Sequence, residues 1–279
     1  MEVWGVSEPV LRLGVFAAVL LTLLGAEAAW PRRSLLLARR RWPTNLSILV
    51  LGGITVRVLG AISPLLLAVG AAAWAQQAGV GLFNVWSIPG WLAALLCVLV
   101  LDALIWAQHW SFHRVPTLWR LHRVHHADRD FDVTTALRFH PVEIALSMLI
   151  KVAAVVVLGA PMLAVVVFEV LLNACAMFNH ANLRLPVKLD RVLRMLVVTP
   201  DMHRVHHSVH AGEHNRNFGF NLSAWDRLFG TYVAQPRDGH QGMTIGLPQY
   251  QQSGPERLGW SLWLPATPLS SRPDLPAER

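Results

Sequence analysis

Eight histidines stand in three short clusters: His109 and His113; His122, His125 and His126; His203, His206 and His207. As patterns they read HxxxH, HxxHH and HxxHH. On a helix, side chains three or four residues apart share one face. Each cluster can therefore aim two or three imidazoles at a single point. Packing alone gives no reason for this to recur three times. A metal centre does, because neutral imidazole is the commonest protein ligand for iron, zinc and copper. One ion cannot use eight, since a structural zinc takes four ligands and a catalytic zinc three plus water. Two ions sharing eight to ten nitrogens fit the count better. The two cysteines, Cys97 and Cys175, lie inside apolar runs, so thiolates are not placed to join them.

The elements that must position these clusters are membrane helices. Of 279 residues, 54% are hydrophobic and only 15% charged, whereas soluble domains average about 25% charged. The net charge of +7 is thus no nucleic-acid footprint; its arginines flank apolar runs, where lipid headgroups are the natural partners. Two cysteines provide no disulfide framework. Residues 1–9 hold two glutamates and no basic residue, unlike the positive end of a signal peptide.

Four apolar runs follow, at about 10–30, 46–75, 88–107 and 144–178. The second is thirty residues long and contains Arg57 and Pro64. As one helix it would measure about 45 Å, longer than the roughly 30 Å hydrocarbon core. It must kink and tilt, or start outside the core with Arg57 snorkelling. The fourth is interrupted by Gly159-Ala160-Pro161, which breaks a helix and makes a hairpin. The connection at 31–47 carries Arg32, Arg33, Arg39, Arg40 and Arg41 with no acid, so the positive-inside bias makes it cytoplasmic. The third run then returns the chain to the cytoplasm, and the hairpin keeps all three clusters on that face. Lys151 and Glu169, each eight residues from the hairpin turn, are expected to pair, because an intramembrane ion is costly alone. The expected fold is all-α: an integral membrane helical bundle of three spans plus a hairpin, capped by a cytosolic histidine-rich di-metal domain.

Location also selects the metal. Against lipid, the abundant substrate is an unactivated hydrocarbon. Oxidising its C–H bonds needs O2 and a redox-active metal, which zinc is not.

The same residues resemble the fatty acid hydroxylase/sterol desaturase superfamily of membrane di-iron oxidases. Beyond the three clusters, the resemblance rests on Leu118-Trp119-Arg120-Leu121-His122-Arg123-Val124-His125-His126, on Thr134-Thr135, and on Arg138-Phe139-His140-Pro141. It continues in Asn217-Phe218-Gly219 and in Trp225-Asp226-Arg227-Leu228-Phe229-Gly230-Thr231-Tyr232. It covers about residues 93–233, leaving 1–92 as N-terminal membrane helices and 234–279 as a polar C-terminal tail, disordered from about Pro268. The resemblance implies two iron ions held by His109, His113, His122, His125, His126, His203, His206 and His207. It also implies a ligand at His180, while Ala176 stands where some members carry another histidine. His140 is the candidate for that vacancy, or else caps the helix that follows. His210 and His214 are assigned solvent or supporting roles, and His240 is read as incidental. Asp102, two turns before His109, is expected to accept a hydrogen bond from a ligating imidazole or to pair with Arg57. Asp128, Asp201, Glu213 and Glu143 are further candidates to orient imidazoles.

The function implied is lipid hydroxylation with O2. No flavin or nicotinamide motif is evident, so electrons come from a separate carrier, a cytochrome b5-like protein or a ferredoxin. A lipid or sterol desaturase would use the same site. A non-catalytic metal-binding membrane protein would instead spread histidines through its spans. Composition favours a bacterial inner membrane over the endoplasmic reticulum.

Overall fold

Helices supply nearly all regular structure in the computed structural model, which describes residues 2–3, 5–86 and 88–269. A two-residue-per-strand hairpin, Glu2–Val3 with Val6–Ser7, precedes the first helix, α1 (Glu8–Ala29). Helix α2 (Trp42–Ile62) follows, and then a short α3 (Ala68–Ala78). Helix α4 (Gly90–Arg114) is the third span, and α5 (Pro116–His126) turns away from its end. The hairpin arms are α6 (Pro141–Leu158) and α7 (Met162–Asn179), followed by the short α8 (Pro200–His206). Five helices are long and apolar enough to cross a bilayer. The chain is an integral membrane helical bundle.

The expected thirty-residue second span divides instead of bending. Ser63 turns extended, its hydroxyl accepts from the Leu65 amide at 3.2 Å, and Pro64 starts a 3-10 turn. Helix α3 then packs on α6 through Ala68, Ala71, Ala72 and Ala75, all buried. Alanines permit that close approach.

The hairpin turn lies where its tripeptide predicts, with Gly159 left-handed at φ +64°. Each arm has 18 residues, or about 27 Å of helix, enough to traverse the core. The turn meets the loop after α3: a Cβ on Gly81 would lie 2.2 Å from the Gly159 nitrogen. The arms thus reach the face opposite the histidines. Lys151 does meet Glu169, with Nζ donating to Oε1 at 2.5 Å, and Arg12 of α1 reaches Oε2 at 2.7 Å. The residue pattern of the hairpin alone could not show this second cation.

Behind the spans, residues 234–269 fold back onto the domain. Buried Arg138 donates to Val124 O on α5, Asn45 on α2, and Pro255 O and Ser261 near the C-terminus, all within 2.9 Å. Trp260 packs edge-on against Tyr250, whereas Trp263 is exposed. The disorder expected from Pro268 falls almost wholly on residues 270–279, outside the described ones.

Removing one partner of a buried ion cluster strands the other. Glu169→Leu is expected to cost about 3–5 kcal/mol and to lower the thermal midpoint in detergent. Adding Lys151→Met and Arg12→Leu to it should recover most of the loss.

Candidate metal centre

The three clusters converge although their helices run in different directions. Their histidines, with His180, form two buried groups: His109, His113, His122, His126 and His206; and His125, His180, His203 and His207. Within each group the candidate ligand nitrogens all lie within 4.8 Å of one another. Helical spacing explains the sorting. On α4 the i and i+4 pair, His109 and His113, faces the first group. On α5 the i and i+4 pair, His122 and His126, faces the same group, and His125 turns to the other. On α8 the assignment reverses, with His203 and His207 in the second group and His206 in the first.

The nitrogens stand at distances that an ion can bridge. His109 Nε2 is 3.1 Å from His122 Nε2. His180 Nε2 is 3.1 Å from His125 Nε2 and 3.2 Å from His203 Nε2. Two nitrogens each about 2.1 Å from one metal lie about 3 Å apart at right angles and about 4.2 Å apart across it. Many inward nitrogens are buried without a hydrogen-bond partner among the described residues, including both of His113, both of His207, and Nε2 of His126 and His206. Buried polar atoms are normally satisfied. These donors therefore fit metal ions.

The outer nitrogens show how the fold fixes them. His109 Nδ1 donates to Phe218 O, His180 Nδ1 to Ala176 O and His206 Nδ1 to Arg216 O, each at 2.7 Å. His122 Nδ1 donates to Glu143 Oε1, also at 2.7 Å. A proton held on Nδ1 leaves the Nε2 lone pair free to bind metal. Two of these carbonyls flank Asn217, which is left-handed at φ +53°. Its side chain donates to Met202 O and Val233 O and accepts from the Val233 amide. Asp226 then clamps the Phe218 and Gly219 amides at 2.8 Å each and takes Trp106 Nε1 at 3.0 Å. A side chain on Gly219 would meet Asp226 Oδ2 at 2.9 Å. The stretches around Asn217 and Asp226 thus form one scaffold for His109 and His206. Nothing in their spacing announces this.

Several sequence expectations change. Asp102 touches neither an imidazole nor Arg57; its Oδ2 accepts from Trp225 Nε1 at 2.8 Å and from the Leu222 amide at 3.2 Å. The carboxylate bonded to a clustered imidazole, His122, is Glu143, reached because Pro141 starts α6 beside α5. His140 stands outside both groups, its Nδ1 accepting from the Val142 amide as an N-cap. Asp128 serves Arg41 at 2.5 Å and Asn45 at 3.1 Å. Arg41, 1% exposed, also faces Asp132 and Asp130. Part of the presumed charge signal for topology is therefore a structural anchor. Glu213 accepts from the Arg237 amide, and His210 pairs with Asp238. His214 stacks on Trp119. His240 is buried, contacting Gln235 and Asp201, so it is not incidental to the fold.

Burial pushes the imidazoles of both α5 and α8 below their ordinary range, and mutual repulsion deepens this for His125, His126, His203, His206 and His207. Burial brings His122 and His180 to about 3. All are neutral near pH 7, the form that binds metal.

A cavity of about 310 Å³ lies between the spans and ends on the first group. Its walls are chiefly apolar, from Phe16 and Leu49 to Ile105, Phe112, Phe139 and Phe220, and its floor includes His109, His122 and Glu143. Gln108 and Ser147 interrupt the apolar wall and bond to each other at 2.9 Å.

Known proteins resemble this chain over the part that carries the histidines. Residues 94–231 match the fatty acid hydroxylase family model. The chain is 29% identical over 133 residues to the ornithine lipid hydroxylase OlsE of Rhizobium tropici, covering 48% of this chain and 39% of that protein. It is 29% identical over 166 residues to the human alkylglycerol monooxygenase, covering 58% and 35%. It is 28% identical over 144 residues to the cholesterol 25-hydroxylase of Rattus norvegicus, covering 51% and 47%. The chain spans less than half the length of these curated relatives. No solved structure matches it.

Glu143→Ala should weaken metal binding about 10- to 100-fold, read by competition with a chelator. In the metal-free protein, the depressed imidazoles set a pH dependence. Unfolded histidine, near pKa 6.5, takes up protons that the folded state refuses. Stability is therefore full above about pH 6.5 and falls as pH drops toward 3. The slope is up to about 1.4 kcal/mol per pH unit for each such histidine. Thermal unfolding in detergent at pH 8, 6 and 5 checks the direction.

Proposed function

Because the chain belongs to the fatty acid hydroxylase/sterol desaturase superfamily, we propose that it is a membrane-bound di-iron oxygenase that hydroxylates an unactivated C–H bond of a lipid. The carrying observation is the apolar cavity that runs between the spans and ends on His109 and His122. A lipid chain lying there presents its C–H bonds to the first histidine group without leaving an apolar environment. The relatives reported above are named for hydroxylation and monooxygenation, which favours oxygen insertion over desaturation.

In this reading one iron is held by His109, His113, His122, His126 and His206, and the other by His125, His180, His203 and His207. His140 is left out of the ligand set. When bound, the pair supplies oxygen activation and takes two electrons per turnover from a separate carrier, a cytochrome b5-like protein or a ferredoxin. The chain's own residues do three things. Glu143 and the carbonyls of Phe218, Ala176 and Arg216 hold protons on Nδ1, so that each Nε2 faces inward. Phe139, stacked on His125 at 4.3 Å, and Phe220, beside His109, close the centre to water. The cavity walls orient the chain. We place the centre at the cytoplasmic face, on the side of the arginine-rich connection, in a bacterial inner membrane. Transport of metal is disfavoured, because among the five apolar helices only α4 carries histidines, at its end.

His125→Ala is expected to lose bound iron and lipid oxidation together, while still partitioning into the membrane. Turnover retained in that variant would remove His125 from the ligand set. Elemental analysis beside mass spectrometry of membrane lipids, with and without expression of the protein, reads both.

A further inference from the structure

Helix Val187–Leu193, the turn after it and the adjoining Leu228 and Phe229 carry a largely exposed apolar surface. Val187, Val192, Met195, Leu196, Leu228 and Phe229 are each 56–74% exposed. A monomer in water seldom leaves such a contiguous apolar patch uncovered. The two segments form one edge. The Ser223 amide donates to Leu196 O at 3.0 Å, and Ser223 Oγ and Arg227 both reach Arg194 O.

That edge is fixed in depth by the third span. Leu222 and Trp225 bond to Asp102, and Phe229 stacks on Trp106 with ring centroids 4.3 Å apart. Both anchors belong to α4, which begins at Gly90 just after the loop that touches the hairpin turn. At 1.5 Å per residue, Asp102 and Trp106 lie only about 18 and 24 Å along the helix. The hydrocarbon core is about 30 Å thick, and any tilt reduces the depth travelled. The edge therefore sits at the level of the leaflet on the histidine side, not beyond it. Its charges suit that place. Arg184, Lys188 and Arg191 are exposed around the apolar residues, positioned for headgroup phosphates. The one acid on the helix, Asp190, is already taken by Arg194 and Thr199.

We propose that this edge, formed by Val187–Leu193, Met195, Leu196, Leu228 and Phe229, docks on the bilayer as a shallow interfacial anchor, its apolar side chains in the headgroup–acyl boundary of the histidine-side leaflet. An interfacial helix buries its apolar face about 5–10 Å at that boundary. The consequence reaches the metal centre. The anchored segment runs directly into α8, which carries His203, His206 and His207, and the other half of the edge adjoins the loop that orients His109. Seating the edge in lipid holds the histidine groups at acyl-chain depth. The inference does not depend on which reaction the centre performs.

The full-length metal-loaded protein, reconstituted in phospholipid nanodiscs, tests this. Leu196→Cys and Leu228→Cys, each in a Cys175→Ser background, are labelled with an environment-sensitive nitrobenzoxadiazole probe; Arg237→Cys, on an exposed loop, is the water-side control. Both edge probes should emit blue-shifted fluorescence and lose most of it when acyl-brominated phosphatidylcholine replaces the ordinary lipid, while the control does not change. Water-like, unquenched emission at both positions would overturn the proposal. So would protection of both probes without bromine quenching, since a second protein would then be the occupant. Two labelling positions guard against one substitution disturbing the fold.

Discussion

A buried imidazole has two nitrogens, and both must be satisfied. Nine such rings are packed here with almost no solvent around them. In four of them one nitrogen is met by a carbonyl or carboxylate of the chain, and the opposite nitrogen is turned toward other imidazoles. Without a cation between them, neutral lone pairs about 3 Å apart would repel. The requirement to satisfy both sides dictates much of what surrounds the centre: the left-handed Asn217, the clamp of Asp226, and the approach of α6 that delivers Glu143. The donor set of the cluster fits metal ions.

The same requirement explains how membrane and polar layers are joined. Several charged side chains at the histidine-side ends of the spans are bonded within the protein. Glu27 of α1 accepts from the Val133 and Asn182 amides, tying the loop after α5 to the exit of the hairpin. Arg41 fills the loop of Asp128, Asp130 and Asp132, and Arg138 joins α5, α2 and the C-terminal segment. Arg41 and Arg138 are buried charges with several partners, so loss of any one partner leaves the others uncompensated. These anchors set the positions of helices whose histidines must agree to within fractions of an ångström.

Much of this was legible beforehand. The 3–4 residue spacing of the histidines identified the ligand-bearing faces, and the Gly159-Ala160-Pro161 break placed the hairpin and hence the common face of the clusters. The pairing of Lys151 with Glu169 followed from equal depth. What could not be read is long-range satisfaction of polar groups. Asp102 lies two turns from His109 and so invited a link to it, yet an apolar helix face turns it toward Trp225. Arg41 looked like one of five topological arginines, although three buried acids about 90 residues away claim it. The run containing Pro64 reads as one rod that kinks and tilts or starts outside the core, but the chain breaks at Ser63 and the alanine stripe of α3 packs on α6. The partition of nine histidines into five and four needs helix orientations, which no spacing rule contains.

The metal content of the purified protein is the most direct test of a di-iron centre. Elemental analysis combined with iron X-ray absorption of the protein as isolated, never exposed to chelator, should find two irons per chain, with nitrogen and oxygen neighbours only and the multiple-scattering signature of several imidazoles. A single equivalent of zinc, sulfur in the coordination shell, or no transition metal in a folded and membrane-inserted protein would contradict it.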